Sequence, residues 1–281
     1  MRLLVLTTAL FSFAVLGSAA AQDAEPVETG PSLLVGLGAS IQPVYEGSQE
    51  YRVAPVPIVA PSFGASDGPR RFEFRGLDDI RIHALYFGRL SVGPLAGYRF
   101  GRDEDDSSRL RGLGDVEGGL VVGGFANYGF VETDVTRLGL DVAVSGQVTG
   151  DVFDGTPFDR GRDHGLQVDL GTSIDHLATE RLRLTGRAGL RFADADYMTT
   201  NFGVSPAQAA ASPVGLPAFD PGAGLKNAYL QTGLTYNATE RFELRAGAGY
   251  SRLVGDAADS PVTETPNQFS GFLGAAYRLR F

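Results

Sequence analysis

Any chemistry in this sequence has to come from a small set of side chains. Its 281 residues include three histidines and no cysteine or tryptophan. His83, His164 and His176 are scattered, and none lies at the spacing of a metal-ligand pair or a catalytic triad. A serine hydrolase needs a hydrogen-bonded Ser and His, and no motif announces one, so the histidines read as polar loop and strand-end residues. The expectation is a non-enzymatic chain with no catalytic, cofactor or metal site. The run Asp103, Glu104, Asp105, Asp106 offers the oxygen ligands that calcium takes, but without the spacing and turn glycine of a calcium loop it reads as a solvated loop. Gly112, Gly114, Gly118 and Gly119 precede no helix and read as close-packing positions in a sheet rather than a phosphate cradle.

The arginines are more informative. Arg137, Arg181, Arg183, Arg187, Arg191, Arg241 and Arg245 alternate with apolar residues and share the polar face with Asp141, Asp169 and Glu243. No soluble core tolerates that face on its buried side. Inside a closed sheet there are two outcomes. Cross-strand ion pairs fill a narrow lumen, or uncompensated arginines line a small anion-attracting channel. Small barrels fill their interiors with side chains, which favours the first.

The elements that position these residues are strands, because the alternation has period two. Leu33, Val35, Leu37, Ala39 and Ile41 form one apolar face. Leu138, Leu140, Val142 and Val144 form another, followed by Leu166, Val168, Leu170 and Ile174, then Leu182, Leu184, Ala188, Leu190 and Phe192. Further faces are Leu230, Leu234 and Tyr236, then Phe242, Leu244, Ala246, Ala248 and Tyr250. The last strand carries Phe269, Leu273, Ala275, Tyr277, Leu279 and Phe281 in one register. This ending, with Phe269, Tyr277, Leu279 and Phe281, resembles the signal read by bacterial barrel-insertion machinery.

Short connections near 131–134, 175–180 and 237–240 alternate with long ones near 102–114, 150–162, 195–224 and 254–267, as in barrels with short periplasmic turns and long outer loops. Eleven strands are evident. Bacterial single-chain barrels have even numbers, so Tyr51 to Leu85 is expected to hold one more, giving about 12, with 10 as the alternative. The fold class is therefore an all-β, antiparallel transmembrane β-barrel. Met1 and Arg2, the apolar stretch Leu3–Leu16 and Ala19-Ala20-Ala21 read as a cleavable signal peptide over 1–21. A short periplasmic segment, 22–31, and a barrel, 32–281, follow. No later apolar run spans a membrane as a helix. The net charge of −9 argues against a nucleic-acid partner.

Several stretches resemble the MipA/OmpV family of outer-membrane proteins, also called the MltA-interacting protein family. They are Val44-Tyr45-Glu46-Gly47-Ser48 with Tyr51-Arg52-Val53 and Pro55-Val56-Pro57, then Gly93-Pro94, Tyr98 to Arg102 with Asp103 to Asp106, and Leu113-Gly114-Asp115. A C-terminal block adds Phe192-Ala193-Asp194, Tyr197-Met198, Asn201 to Ser205, Gly222 to Lys226 and Asp259-Ser260-Pro261. The resemblance implies an outer-membrane barrel in contact with lipid and lipopolysaccharide. It also implies a scaffold whose periplasmic side holds a lytic transglycosylase near a murein synthase. The arginine face keeps open a small-solute channel, and the Pro-rich loop Ala195 to Gly224 an adhesin or surface antigen.

Overall fold

The computed structural model describes residues 31–62, 72–148 and 164–281. The expected signal peptide and all of segment 22–31 but Pro31 lie outside the described residues, as does the whole of the connection at 150–162. The strands are β1 (Ser32–Pro43), β2 (Tyr51–Ser62), β3 (Phe72–Gly76), β4 (Asp79–Ile82), β5 (Leu85–Phe87), β6 (Leu90–Arg99) and β7 (Gly119–Glu132). They continue with β8 (Thr136–Val148), β9 (Leu166–Thr179), β10 (Leu182–Ala193), β11 (Gly224–Asn237), β12 (Phe242–Leu253) and β13 (Asn267–Arg280).

All thirteen belong to one sheet, ordered β2-β1-β13-β12-β11-β10-β9-β8-β7-β6-β4-β3, with β5 also paired to β6. Because β4 and β5 follow one another along the same edge of β6, with Ala84 N donating to Val92 O between them, they make one stave. The wall therefore has twelve staves, and the stave expected between Tyr51 and Leu85 is the broken β4–β5 pair. Its interruption at His83 and Ala84 hides its periodicity. The ladders between these strands are antiparallel, and β1 pairs with the C-terminal strand from Ser32↔Arg280 to Ile41↔Gly271. At the ends of the ladder path, β2 and β3 come into contact without a ladder between them among the described residues. Pro55, Pro57 and Pro61 of β2 share one parity, so their missing donors fall along a single edge. That edge is the one facing away from β1, where they remove no bond from the β1 ladder.

The alternation sorts side chains as a membrane barrel requires. Leu37, Val53 and Leu273 are 64%, 71% and 68% exposed, and Phe269, Tyr277, Leu279 and Phe281 are exposed on the same outer side. Apolar exposure on this scale is stable against hydrocarbon and would aggregate in water. Inside the wall, Gly38 faces Gly274 across the β1–β13 ladder. The Phe272 ring lies over both, 2.5 Å from where a Cβ on Gly38 would sit, so an aromatic side chain covers the glycine pair. Leu95, Val121, Phe125 and Ala143 form a buried apolar patch on the inner faces of β6, β7 and β8. No helix among the described residues is long and apolar enough to cross a membrane. The three short helices, α1 (Ala195–Phe202), α2 (Pro206–Ala211) and α3 (Asp256–Asp259), all lie in long connections.

Candidate functional site

At one end of the barrel tight turns join β5 to β6, β7 to β8, β9 to β10 and β11 to β12, and at the other long segments pack on one another. Tyr45, Leu110, Leu113, Val204, Leu216 and Val262 form a buried core drawn from four separate connections. A second core joins Ala193, Tyr197, Met198, Phe202, Leu253 and Ala257. Burying a side chain such as Leu110 or Phe202 stabilises by about 1.5–3 kcal/mol, so these loops hold a defined lid. Polar contacts fix the register. Arg109 Nε and Nη2 reach Pro261 O at 2.9 and 2.6 Å, Ser260 Oγ donates to Phe202 O at 2.6 Å, and Tyr45 Oη donates to Val262 O at 3.2 Å. Gly47 has φ +99°, and a Cβ there would meet Thr263 Oγ1 at 2.8 Å, so only glycine fits.

Helix α1 closes the lid over the lumen. Asp194 caps it, accepting from Tyr197 N at 2.9 Å and from Leu166 N at 2.8 Å. At the other end, the buried Arg102 guanidinium donates to Asn201 O at 2.8 Å, a cation placed on C-terminal carbonyls. Helix α2 begins with a capping box between Ser205 and Gln208 and has Pro206 in its first turn. Beneath α1, Lys226 Nζ lies 2.7 Å from Glu46 Oε1 and 3.2 Å from Tyr197 Oη, while Tyr197 Oη donates to Glu46 Oε2 at 2.8 Å. Burial alone would raise the Glu46 pKa, but the Lys226 charge and the hydrogen bonds from Lys226 and Tyr197 bring it down to about 2. The Tyr197 phenol is held well above its usual range, first by burial and then by the Glu46 charge.

Glu104 gives the acidic run a structural use. Its carboxylate accepts from Gly112 N at 3.1 Å and Gly114 N at 3.2 Å, both glycines having positive φ. Gly112 and Gly114 therefore shape a loop of the lid around a carboxylate, rather than serving as sheet-packing positions. Asp103 accepts from Asp105 N and Asp106 from Asp103 N, which spends these groups on loop backbone.

Below the lid, ion pairs bridge the interior. Asp141 on β8 accepts from Arg81 Nη1 on β4 at 3.0 Å, across the two intervening staves of β6 and β7, and from Arg75 Nη2 on β3, one stave further, at 2.7 Å. Ser173 Oγ adds a bond to the other carboxylate oxygen at 3.1 Å. Arg81 also grips Asp79 bidentately at 2.7 and 2.9 Å and lies over the Phe125 ring, 4.9 Å from its centroid. On the opposite wall Arg191 meets Asp169 at 3.1 Å, and Asp169 also accepts from Tyr229 Oη at 2.7 Å. Arg183 meets Asp175 at 2.9 Å, and Glu243 holds both Arg245 and Arg278, the latter at 3.1 Å.

Of the residues singled out in the sequence, Arg137, Arg183, Arg187, Arg191, Glu243 and Arg245 line a lumen cavity of about 2330 Å³, while Asp141 and Asp169 anchor arginines around it. Arg181 and Arg241 lie one residue before β10 and β12, in exposed turns. The period-two pattern runs past the ladder ends there, where side chains no longer alternate between lumen and lipid. Sequence reasoning misses Glu73, Arg75, Asp79 and Arg81. Their signal is a two-residue alternation in strands too short to stand out.

His83 does have partners, although not ones adjacent in sequence. Its Nδ1 is 2.9 Å from Ser91 Oγ and its Nε2 is 3.2 Å from Glu73 Oε2. The arrangement superficially matches a serine hydrolase. Glu73 is nevertheless shared with Arg75 at 2.8 Å, and the His83 ring is wedged against Phe125 with centroids 4.8 Å apart. These contacts suit a polar brace between β3, β4 and β6.

A family model described as MltA-interacting protein MipA matches residues 35–279. The chain belongs to the MipA family. Many of the stretches that carry the resemblance to this family lie in the lid: Tyr45, Glu46, Leu113, Tyr197, Asn201 to Ser205, Lys226 and Ser260. No curated protein matches the chain. Among solved structures, an outer-membrane channel from Pseudomonas putida F1 aligns at 13% identity and TM-score 0.42, covering 93% of this chain and 100% of that one. The NanC porin aligns at 11% identity and TM-score 0.41, covering 89% and 100%. The outer-membrane channel DcaP of Acinetobacter baumannii aligns at 9% identity and TM-score 0.38, covering 89% and 98%. The MipA-family chain is an outer-membrane β-barrel protein.

Proposed function

We propose that this MipA-family barrel is a non-enzymatic scaffold that holds murein-processing enzymes, a lytic transglycosylase and a murein synthase, against the periplasmic side of the outer membrane. The observation that supports this reading is the lid. Four connections pack into a folded cap at the outer end, and the cavity beneath extends to the turn residues Thr133 and Asp134 at the other end. A barrel built this way engages partners from the periplasm, with its outer wall set in lipid and lipopolysaccharide. The family description, an MltA-interacting protein, supports the same partner class. Mild crosslinking of native envelopes, affinity capture of this chain and mass spectrometry should recover murein-processing enzymes. Their absence from captures in which the bait is abundant overturns the reading.

The cavity itself favours a second reading, a small-solute channel. Eleven cationic side chains and eight carboxylates line its surface. Conductance in planar bilayers decides it, and a flat trace at all voltages removes it. An adhesin role of Ala195 to Gly224 has less support, because Tyr197, Met198 and Phe202 of that segment turn inward.

A further inference from the structure

The lumen face of β2 breaks the polar pattern of the interior. At the inward positions of β10 stand Arg183, Thr185, Arg187 and Arg191, whereas those of β2 below Arg52 are Ala54, Val56, Ile58 and Ala60. Val53 and Val59, of the opposite parity, are exposed on the outer side, so this stave is apolar on both faces. Ala54, Val56, Ile58 and Ala60 line the lumen cavity, and the strip continues sideways through Leu34, Phe272 and Ala276, which pack with Ile58 and Ala60. Apolar surface facing an aqueous lumen gains stability from any apolar chain laid over it.

A second observation concerns the edge of the same stave. β2 and β3 touch without a ladder between them among the described residues, whereas every other junction along the wall is hydrogen-bonded. Pro55 and Pro57 flank Val56 and direct their missing N–H groups along that edge. An unpaired N–H is costly in hydrocarbon, and an edge interrupted by proline carries fewer of them, so it can stay open to the bilayer. The same prolines deny a partner polypeptide the ladder it would need to dock as an added strand. The occupant that suits this edge is therefore lipid rather than protein.

We propose that the β2–β3 seam admits the alkyl chain of a single-chain amphiphile from the bilayer, and that the chain lies along Ala54, Val56, Ile58 and Ala60 with its polar head in the lumen. From Ala54 to Ala60 the strand advances six steps of about 3.3 Å, roughly 20 Å in all, the reach of an extended palmitoyl chain. The site requires no partner protein, so it stands whether or not murein enzymes are captured.

The test uses the whole mature chain refolded into phosphatidylcholine vesicles, with heat-modifiable gel migration as the criterion of folding. The probe is palmitic acid carrying a diazirine near its tail, photolysed in the bilayer and mapped on the chain by peptide mass spectrometry. Adducts are expected on the lumen-facing residues Ala54, Val56 and Ala60. Excess unlabelled palmitate should suppress them more steeply than adducts on the outward-facing Leu37 and Leu273. V56N is expected to reduce the lumen adducts roughly tenfold, the scale for setting an unpartnered amide against an alkyl chain, and to leave the outward ones unchanged. A60N serves if V56N does not refold. In a chain carrying both P55T and P57T, which restore two donors to the edge, lumen adducts should appear more slowly. Labelling confined to outward-facing residues overturns the proposal, as do lumen adducts that the competitor does not suppress or that V56N does not diminish. An unchanged rate with P55T and P57T overturns entry through the seam.

Discussion

The ammonium of Lys226 sits 2.7 Å from a carboxylate oxygen of Glu46, a residue 180 positions earlier, with the Tyr197 hydroxyl bonded to both. The triad joins the first outer connection, helix α1 and the start of β11 beneath the lid. The Lys226 side chain is 1% exposed, so its charge depends on Glu46 for compensation.

Removing the carboxylate is therefore costly. E46Q leaves a buried ammonium without its counter-ion and is expected to destabilise the lid by about 3 kcal/mol, the scale for breaking a buried pair from one side. K226M, which removes the charge that needs compensation, costs less. Heat-modifiable migration and protease sensitivity of the outer connections check the order E46Q below K226M below wild type.

The same triad sets an acid limit. The folded-state pKa of Glu46 lies at about 2 against an ordinary value of 4.5. A depressed carboxylate contributes stability that is complete above the unfolded value and is lost as pH falls through the folded one. The lid should hold unchanged down to about pH 4.5 and weaken progressively toward pH 2. Limited acid-protease cleavage followed against pH measures this, and in E46Q the acid-dependent component should disappear.

Asp141 carries the cross-lumen bridge. D141N removes the carboxylate that Arg75 and Arg81 share while leaving them Glu73 and Asp79, and is expected to cost about 1.5–3 kcal/mol. Urea unfolding from lipid vesicles should show a lower midpoint with an unchanged slope. D175N, at a pair with Arg183 that is more exposed than Asp141 and its arginines, should cost less, about 1 kcal/mol.

In the lid, Leu110 is completely buried. L110A should cost about 2–5 kcal/mol, borne by local opening of the lid rather than by the barrel. Trypsin cleavage at Arg109 and Arg111 should accelerate, while the heat-modifiable band persists.

Ser91, His83 and Glu73 should support no hydrolysis. Purified barrel is expected to show no ester-cleaving activity that S91A removes, and H83A should instead loosen the β4–β6 contact. Turnover of a nitrophenyl ester by wild type but not by S91A would contradict the brace assignment.

The alternation of Leu182, Leu184 and Leu190 with Arg183, Arg187 and Arg191 makes the wall legible in the amino-acid order alone, because lipid outside and a polar interior impose one period on every stave. The lid is not legible in the same way. Leu110, Leu113, Leu216 and Val262 are isolated apolar residues in polar segments, with no periodicity to reveal that they meet. Their core depends on connections brought together by ring closure. The β4–β5 stave is readable only as a gap in an even count, since its interruption at His83 and Ala84 breaks the pattern. Pairing is likewise beyond one-dimensional reading. Asp141 and Arg75 share a face class, but only the curvature of the sheet brings them together.

The hydrogen bond from Tyr45 to Val262 spans 217 residues and joins the first outer connection to the last. The complete cap therefore requires the C-terminal hairpin, which supplies Val262. Without Val262 the shared core of Tyr45, Leu110 and Val204 lacks one of its six buried members. The two ends of the described chain are thereby tied together twice, once through the β1–β13 ladder and again above it through the cap.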